Sequence, residues 1–159
     1  CRRSRGSTSS SPSSERAVFS PAEFGVLARQ IAAGDLVTPI EGASASVEAR
    51  VRAAYGRAYY TLFLAVRSAI AARHAVPERR LEHGKLYTYL QSSRADARVR
   101  AVGKQLQHLY DLRRRADYEL ASDAAWGNVH SADLAAQQAI HLAAVAATLD
   151  FSSVVDLLR

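Results

Sequence analysis

The sequence predicts an all-α fold, an antiparallel bundle of four main helices plus a shorter N-terminal one. Three observations carry this expectation. The 159 residues include 31 Ala against 8 Gly and 4 Pro, and Ala favours helix because it loses no side-chain entropy and buries no polar group. Apolar residues recur at alternating spacings of three and four, a helical face that no strand could present. Capping and breaking signals bound each of these stretches. The length suits one domain, at roughly 100–200 residues per domain.

Residues 1–16 are Ser-rich and basic, too poor in apolar side chains to offset their ordering entropy, so a disordered tail is expected there. The folded domain is expected over 17–159. Ser20-Pro21-Ala22-Glu23 has the form of a helix start, with Ser as cap, Pro in the first turn and Glu reaching back. That helix runs to about Ala33 and stops at Gly34-Asp35, before a loop through Pro39 and Gly42. Ser46-Val47-Glu48 opens a long helix to about Ala75, halted by Pro77, with Val51, Tyr55, Tyr59, Leu62, Val66 and Ala69 as its apolar stripe. A short helix from His83 or Gly84 to about Ser92 carries Leu86, Tyr87 and Leu90. The next runs from about Arg94 to Leu120, with the stripe Val99, Val102, Leu106, Leu109, Arg113, Ala116 and Leu120. Trp126-Gly127-Asn128 marks a loop. Ser131 and Asp133 are then expected to cap a helix to about Leu149 whose Leu134, Leu142, Val145 and Leu149 face inward. For the last nine residues a short helix and a frayed end both remain open.

The net charge of +6 divides unevenly: Arg2, Arg3, Arg5 and Arg16 against Glu15 leave +3 for the tail and +3 for the rest. A mildly basic body permits nucleic acid as partner without demanding it. Of the 21 basic residues 19 are Arg. No Met is present, so the chain is expected to lack its natural start. Cys1 is the only cysteine, which excludes a disulfide framework and a thiolate zinc cage. No Glu has a His three residues away, and there is no HExxH and no glycine-rich loop before Gly84-Lys85. Di-iron, zinc-protease and P-loop chemistry are thereby excluded; neither metal nor cofactor is expected. No apolar run is long enough to cross a membrane, and Ser-rich sequence follows Arg2-Arg3 where a signal peptide needs an apolar stretch. A cytoplasmic protein is expected.

Arg113 is the one residue of its stripe wrong for a core. A guanidinium withdrawn from water needs a partner, and Asp117 stands one turn on. Two readings follow. Arg113 and Asp117 form an intrahelical ion pair that ties helices together, or Asp117 orients the Arg113 fork to grip a phosphate, with Tyr118 adding a hydroxyl or a stacking ring. Tyr110, Arg114 and Tyr118 share the adjacent row. On the long helix, Arg57 and Tyr60 lie to one side of the stripe, and Gly56, which costs ~1 kcal/mol relative to Ala in a helix, predicts close packing by another backbone. His83 stands at a helix start, where it meets a ligand or merely caps; His108 is expected beside the Arg113 site, and His130 and His141 are incidental.

RAYYTLFLAVRSAI at 57–70, followed by His83 and then by LYDLRRRADYEL at 109–120, resembles a branch of the HEPN superfamily, whose long second helix carries an R-x-YY pattern and whose fourth carries R-x-x-x-DY. The resemblance spans about Ala17 to Leu149. It implies a four- to five-helix bundle, commonly a homodimer in which polar residues of two subunits face a shared cleft. Many members are metal-independent ribonucleases of toxin–antitoxin, phage-defence and CRISPR-linked systems. In these an Arg holds the scissile phosphate and a His four to six residues on aids proton transfer. Toxin members often pair with a minimal nucleotidyltransferase antitoxin that modifies a Tyr near that motif. Carried onto this chain, the resemblance gives Arg113 the phosphate-holding role with Asp117 and Tyr118 as catalytic partners, and Arg57, Tyr60, Arg114 and His83 contacts to the substrate, RNA or a nucleotide. No His follows Arg113, Arg114 or Arg115 within six residues. A second reading therefore stands beside the ribonuclease: a non-catalytic HEPN-like module that binds RNA, a nucleotide or a nucleotidyltransferase subunit. A bundle used only for assembly, with the Tyr-rich helix as dimer face, is the third.

Overall fold

A computed structural model of the chain describes residues 20–35, 46–92, 94–119 and 128–158. The expected tail, the loop through Pro39 and Gly42, the stripe residue Leu120 and the Trp126-Gly127 turn lie outside the described residues. What is described is all-helical, with no strand. Six α-helices follow in order, α1 Pro21–Ala33, α2 Val47–His74, α3 His83–Leu90, α4 Ala97–Tyr118, α5 Val129–Ala146 and α6 Ser152–Val155, with a 3₁₀ turn at Glu78–Arg80. No described helix is long and apolar enough to cross a membrane.

The first two helices begin and end where their capping residues stand. Glu23 reaches back to accept the Ser20 N–H at 2.9 Å, and Gly34 closes α1 at φ 91°, a left-handed conformation that glycine adopts without strain. Ser46 Oγ accepts from the Ala49 N–H at 3.1 Å at the head of α2. The later helices start elsewhere than expected, because better caps stand nearby. Asp96 accepts the Arg98 N–H at 2.7 Å, so α4 begins at Ala97 rather than Arg94. Asn128, not Ser131, caps α5: its Oδ1 takes both the Ser131 N–H at 2.9 Å and the Ser131 hydroxyl at 3.1 Å. That helix ends at Ala146, three residues early, where Arg73 of α2 donates to the carbonyls of Ala147 and Leu149. Helix α3 ends at Leu90, and the last residues do form a short helix, α6.

Helix α2 lies at the centre and packs against α1, α4 and α5, while α3 packs on α4. Tyr59, Leu62, Phe63, Val66 and Ile70 of α2 are fully buried, with Leu86 and Leu90 of α3, Leu106 and Leu109 of α4, and Leu149 and Phe151 beyond α5. The face that α5 buries is not the expected one. Leu134 is 46% exposed, Leu142 and Val145 are half-buried, and the inward row is Ala132, Ala135, Ala136, Ala139, Ala143 and Ala146. Between these alanines the α1 side of α5 has room for one large residue, Ile140, because position 25 of α1 is glycine: a Cβ there would sit 2.3 Å from Ile140 Cγ1, and the small side chains on both helices let their axes approach.

Candidate functional site

Helix α2 turns Arg52, Ala53, Gly56, Arg57 and Tyr60 to one side, and α4 offers Arg113 and Asp117 opposite; together they line a cleft of about 190 Å³. The spacings of three and four that predict a helix also predict this line of residues. Ala53 and Gly56 are small, and that makes the space.

Arg113 keeps its place in the apolar stripe with its side chain 21% exposed. Its Nε donates to Asp117 Oδ2 at 2.9 Å, and its guanidinium carbon lies 5.2 Å from the Tyr60 ring centre and 5.6 Å from that of Tyr59. Burial works against the charge, but Tyr60, Asp117 and Tyr59 more than offset it, and the Arg113 pKa is raised. The site therefore holds a permanent cation. Because Asp117 takes only Nε, both terminal NH₂ groups make no hydrogen bond within the described residues.

Arg52 has a different task. Its side chain is 12% exposed, and it donates to Glu48 at 2.8 Å, to the Ala116 carbonyl at 2.8 Å and to the Glu119 carbonyl at 3.1 Å. It ties the end of α4, where Asp117 stands one turn beyond Arg113, onto α2. Arg57 is exposed and lies over Phe24, 5.5 Å from its ring centre, with no carboxylate partner among the described residues. Two of the three arginines are thus paired with Glu48 and Asp117, and Arg57 leaves the cleft one positive charge in excess.

His83 stands behind the cleft rather than in it. Its ring stacks on Phe63 at 3.9 Å, and its Nδ1 lies 2.8 Å from the Tyr59 hydroxyl. Burial, then Arg113, then Arg67 hold its pKa below the usual histidine value, so it is neutral at pH 7. Burial pushes the Tyr59 phenol well above the ordinary tyrosine range. Tyr59 therefore keeps its proton, and the contact joins a neutral phenol to a neutral imidazole. Tyr60 lies edge-on between this pair and the cleft, 5.7 Å from His83.

The structure thus gathers Arg113, Asp117, Arg57 and Tyr60, with His83 one layer back. It does not bring Tyr118 or Arg114 to them: Tyr118 is 73% exposed and Arg114 is exposed, and neither lines the cleft. The tyrosine rings that border Arg113 are those of Tyr60 and Tyr59. His108 also lies elsewhere, in a groove with Tyr55, Leu112 and His130. Gly56 is not packed by another backbone, contrary to the expectation drawn from its cost to the helix. A Cβ there would meet nothing within 4 Å, whereas one at Gly103, where α3 crosses α4, would meet Leu90 Cβ at 2.7 Å. Sequence reasoning missed Arg52 and Ala53, although both share the helical face of Arg57 and Tyr60. No protein-family model, curated protein or solved structure matches the chain.

Proposed function

We propose that this chain is a HEPN-like helical bundle that acts on RNA or nucleotides by holding a phosphate in the cleft between α2 and α4. The observation that carries this reading is the Arg113 guanidinium, oriented through Nε by Asp117 at 2.9 Å with its two terminal NH₂ groups unengaged. That is the form of a fork set for an oxyanion. The excess charge of Arg57 supports the same ligand. The cleft is smaller than the roughly 300–1,000 Å³ of pockets that enclose a drug-sized molecule, which suits a phosphate group with the rest of the ligand outside. Saturable binding of single-stranded RNA is the expected result, weakened by salt through counterion release and strongly weakened in Arg113→Ala while the helical signal remains. Equal binding by parent and Arg113→Ala would sink the proposal.

A second reading, a metal-independent ribonuclease of the toxin or defence type, is favoured by one observation: a neutral His83 one layer behind the cleft. Proton transfer by a positioned side chain contributes typically 10²–10⁴-fold. Within the cleft itself the one carboxylate, Asp117, is engaged by Arg113, which supports holding ahead of cutting. Incubation of metal-free protein with labelled tRNA and mRNA separates the two, since cleavage by the parent and not by Arg113→Ala would establish the nuclease. Pairing of two copies across a shared cleft, or with a nucleotidyltransferase subunit, belongs to the same proposal; binding insensitive to salt would point to the protein partner.

A further inference from the structure

We infer that Gly56 is the aperture of the cleft, a glycine retained so that ligand atoms can approach the α2 backbone between Arg52 and Tyr60. The inference rests on the phosphate-binding reading of the same cleft and adds a residue that sets access to it. A glycine in the interior of a 28-residue helix is unfavourable. Three causes ordinarily explain one: a positive φ, a crowded crossing, or a need for space on the side of a ligand. The first is absent, because Gly34 is the glycine with positive φ among the described residues. The second holds for Gly103 and Gly25, where a Cβ would collide, but not for Gly56, where it would meet nothing within 4 Å. What lies beyond Gly56 is the cleft, with Arg57 and Tyr60 on its own helix and Arg113 and Asp117 opposite. In a space of about 190 Å³ each added carbon displaces a ligand atom.

The folded protein therefore accepts a side chain at position 56 and its ligand does not, the reverse of Gly25 and Gly103, where the fold itself has no room. The test uses the full chain, a fluorescent oligouridylate as probe, and the variants Gly56→Ala, Gly56→Leu and Arg113→Ala. Gly56→Ala is expected to raise Tm by about 2–6 °C, through helix propensity alone. Gly56→Leu is expected to lose about tenfold or more in affinity for the probe, with Gly56→Ala between it and the parent. A lower Tm for Gly56→Ala would mean that the fold needs the glycine, and would overturn the inference. So would parental affinity in Gly56→Leu: with binding lost in Arg113→Ala, only the aperture fails, and with binding kept there too, the phosphate reading fails as well. Loss of a dimer in Gly56→Leu at unchanged affinity would assign the glycine to a subunit contact and overturn the inference also.

Discussion

Asp117 holds Arg113 by its Nε and not by its terminal nitrogens, at 2.9 Å across one helical turn. The difference matters because a carboxylate on the two terminal nitrogens would satisfy the fork and close the site. As placed, Asp117 fixes the plane of the guanidinium and leaves its outer edge to the cleft. Its own side chain is 41% exposed, so water can solvate it if its partner is removed. Arg113→Ala should then destabilise the fold by about 1–2 kcal/mol, at most about 1 from the ion pair and about 0.5–1 from the lost contacts with the Tyr59 and Tyr60 rings, while weakening RNA binding by about tenfold or more. Arg113→Lys should fail to restore binding, since an ammonium lacks the planar fork. Urea unfolding beside a binding titration checks both. A large loss of stability with ligand affinity intact would make the pair structural.

The pH dependence follows from His83. Burial and the neighbouring Arg113 and Arg67 depress its pKa in the folded state, so the unfolded chain, with a His pKa near ~6.5, takes up the proton more readily. The stability that neutral His83 supports is present above about pH 6.5 and is lost as pH falls from there towards the folded-state pKa. Unfolding midpoints measured at descending pH should therefore fall more steeply in the parent than in His83→Gln. Arg113→Ala should flatten the profile part of the way, because it removes one of the causes of the shift.

Arg52 shows how the site is held rather than what it binds. Its donations to the Ala116 and Glu119 carbonyls satisfy the end of α4, a terminus that offers no glycine cap. Hydrogen bonds to a charged group contribute about 1.5–3 kcal/mol, so Arg52→Ala is expected to cost about that much, and Arg52→Lys nearly as much, since one ammonium cannot reach Glu48 and both carbonyls. Hydrogen exchange should locate the loss in the last two turns of α4, around Arg113 to Glu119. Uniform loss along the chain would contradict this.

The helices were legible because their signals are local: Ser20, Pro21, Gly34 and Ser46 sit within a turn of the ends they mark. So was the anomaly of Arg113, a charge in a stripe of apolar residues. What could not be read was which face of α5 turns inward. Its leucines at 134 and 142 outrank alanine on any hydrophobic scale, but α1 and α2 come close to a row of alanines, with Ile140 admitted where α1 has Gly25, and that fit is a property of three helices together. Gly56 and Gly103 make the same point, being alike in sequence and opposite in surroundings. His83 comes within reach of Arg113 only through the turn of chain between α2 and α3, and no spacing along one helix could place it there.

The alanine face of α5 makes a prediction that sequence hydrophobicity would reverse. Leu134→Gln should change stability by no more than about 0.5 kcal/mol, as for an ordinary surface residue. Ala139→Leu, which adds apolar volume where there is no space, should destabilise by about 1–3 kcal/mol. Thermal unfolding of the two variants decides it. The opposite ranking would mean that α5 is rotated about its axis from the orientation described.

Salt offers the last prediction, and it counts contacts. On a single strand, the slope of log affinity against log salt is about −0.7 for each phosphate neutralised. Arg113 and Arg57 are the two cleft arginines with donors to spare, so the parent slope should lie near about −1.4 for the cleft alone. Each of Arg113→Ala and Arg57→Ala should reduce it by about 0.7, but their effects on affinity should differ. Arg113 is oriented by Asp117 and shielded by two tyrosine rings, whereas Arg57 is exposed to water and screened. Arg113→Ala should therefore cost more affinity at every salt concentration. Titrations over a salt series for the parent and both variants supply the slopes. Equal losses from the two would mean that the charge of the cleft binds, and that the geometry set by Asp117 does not.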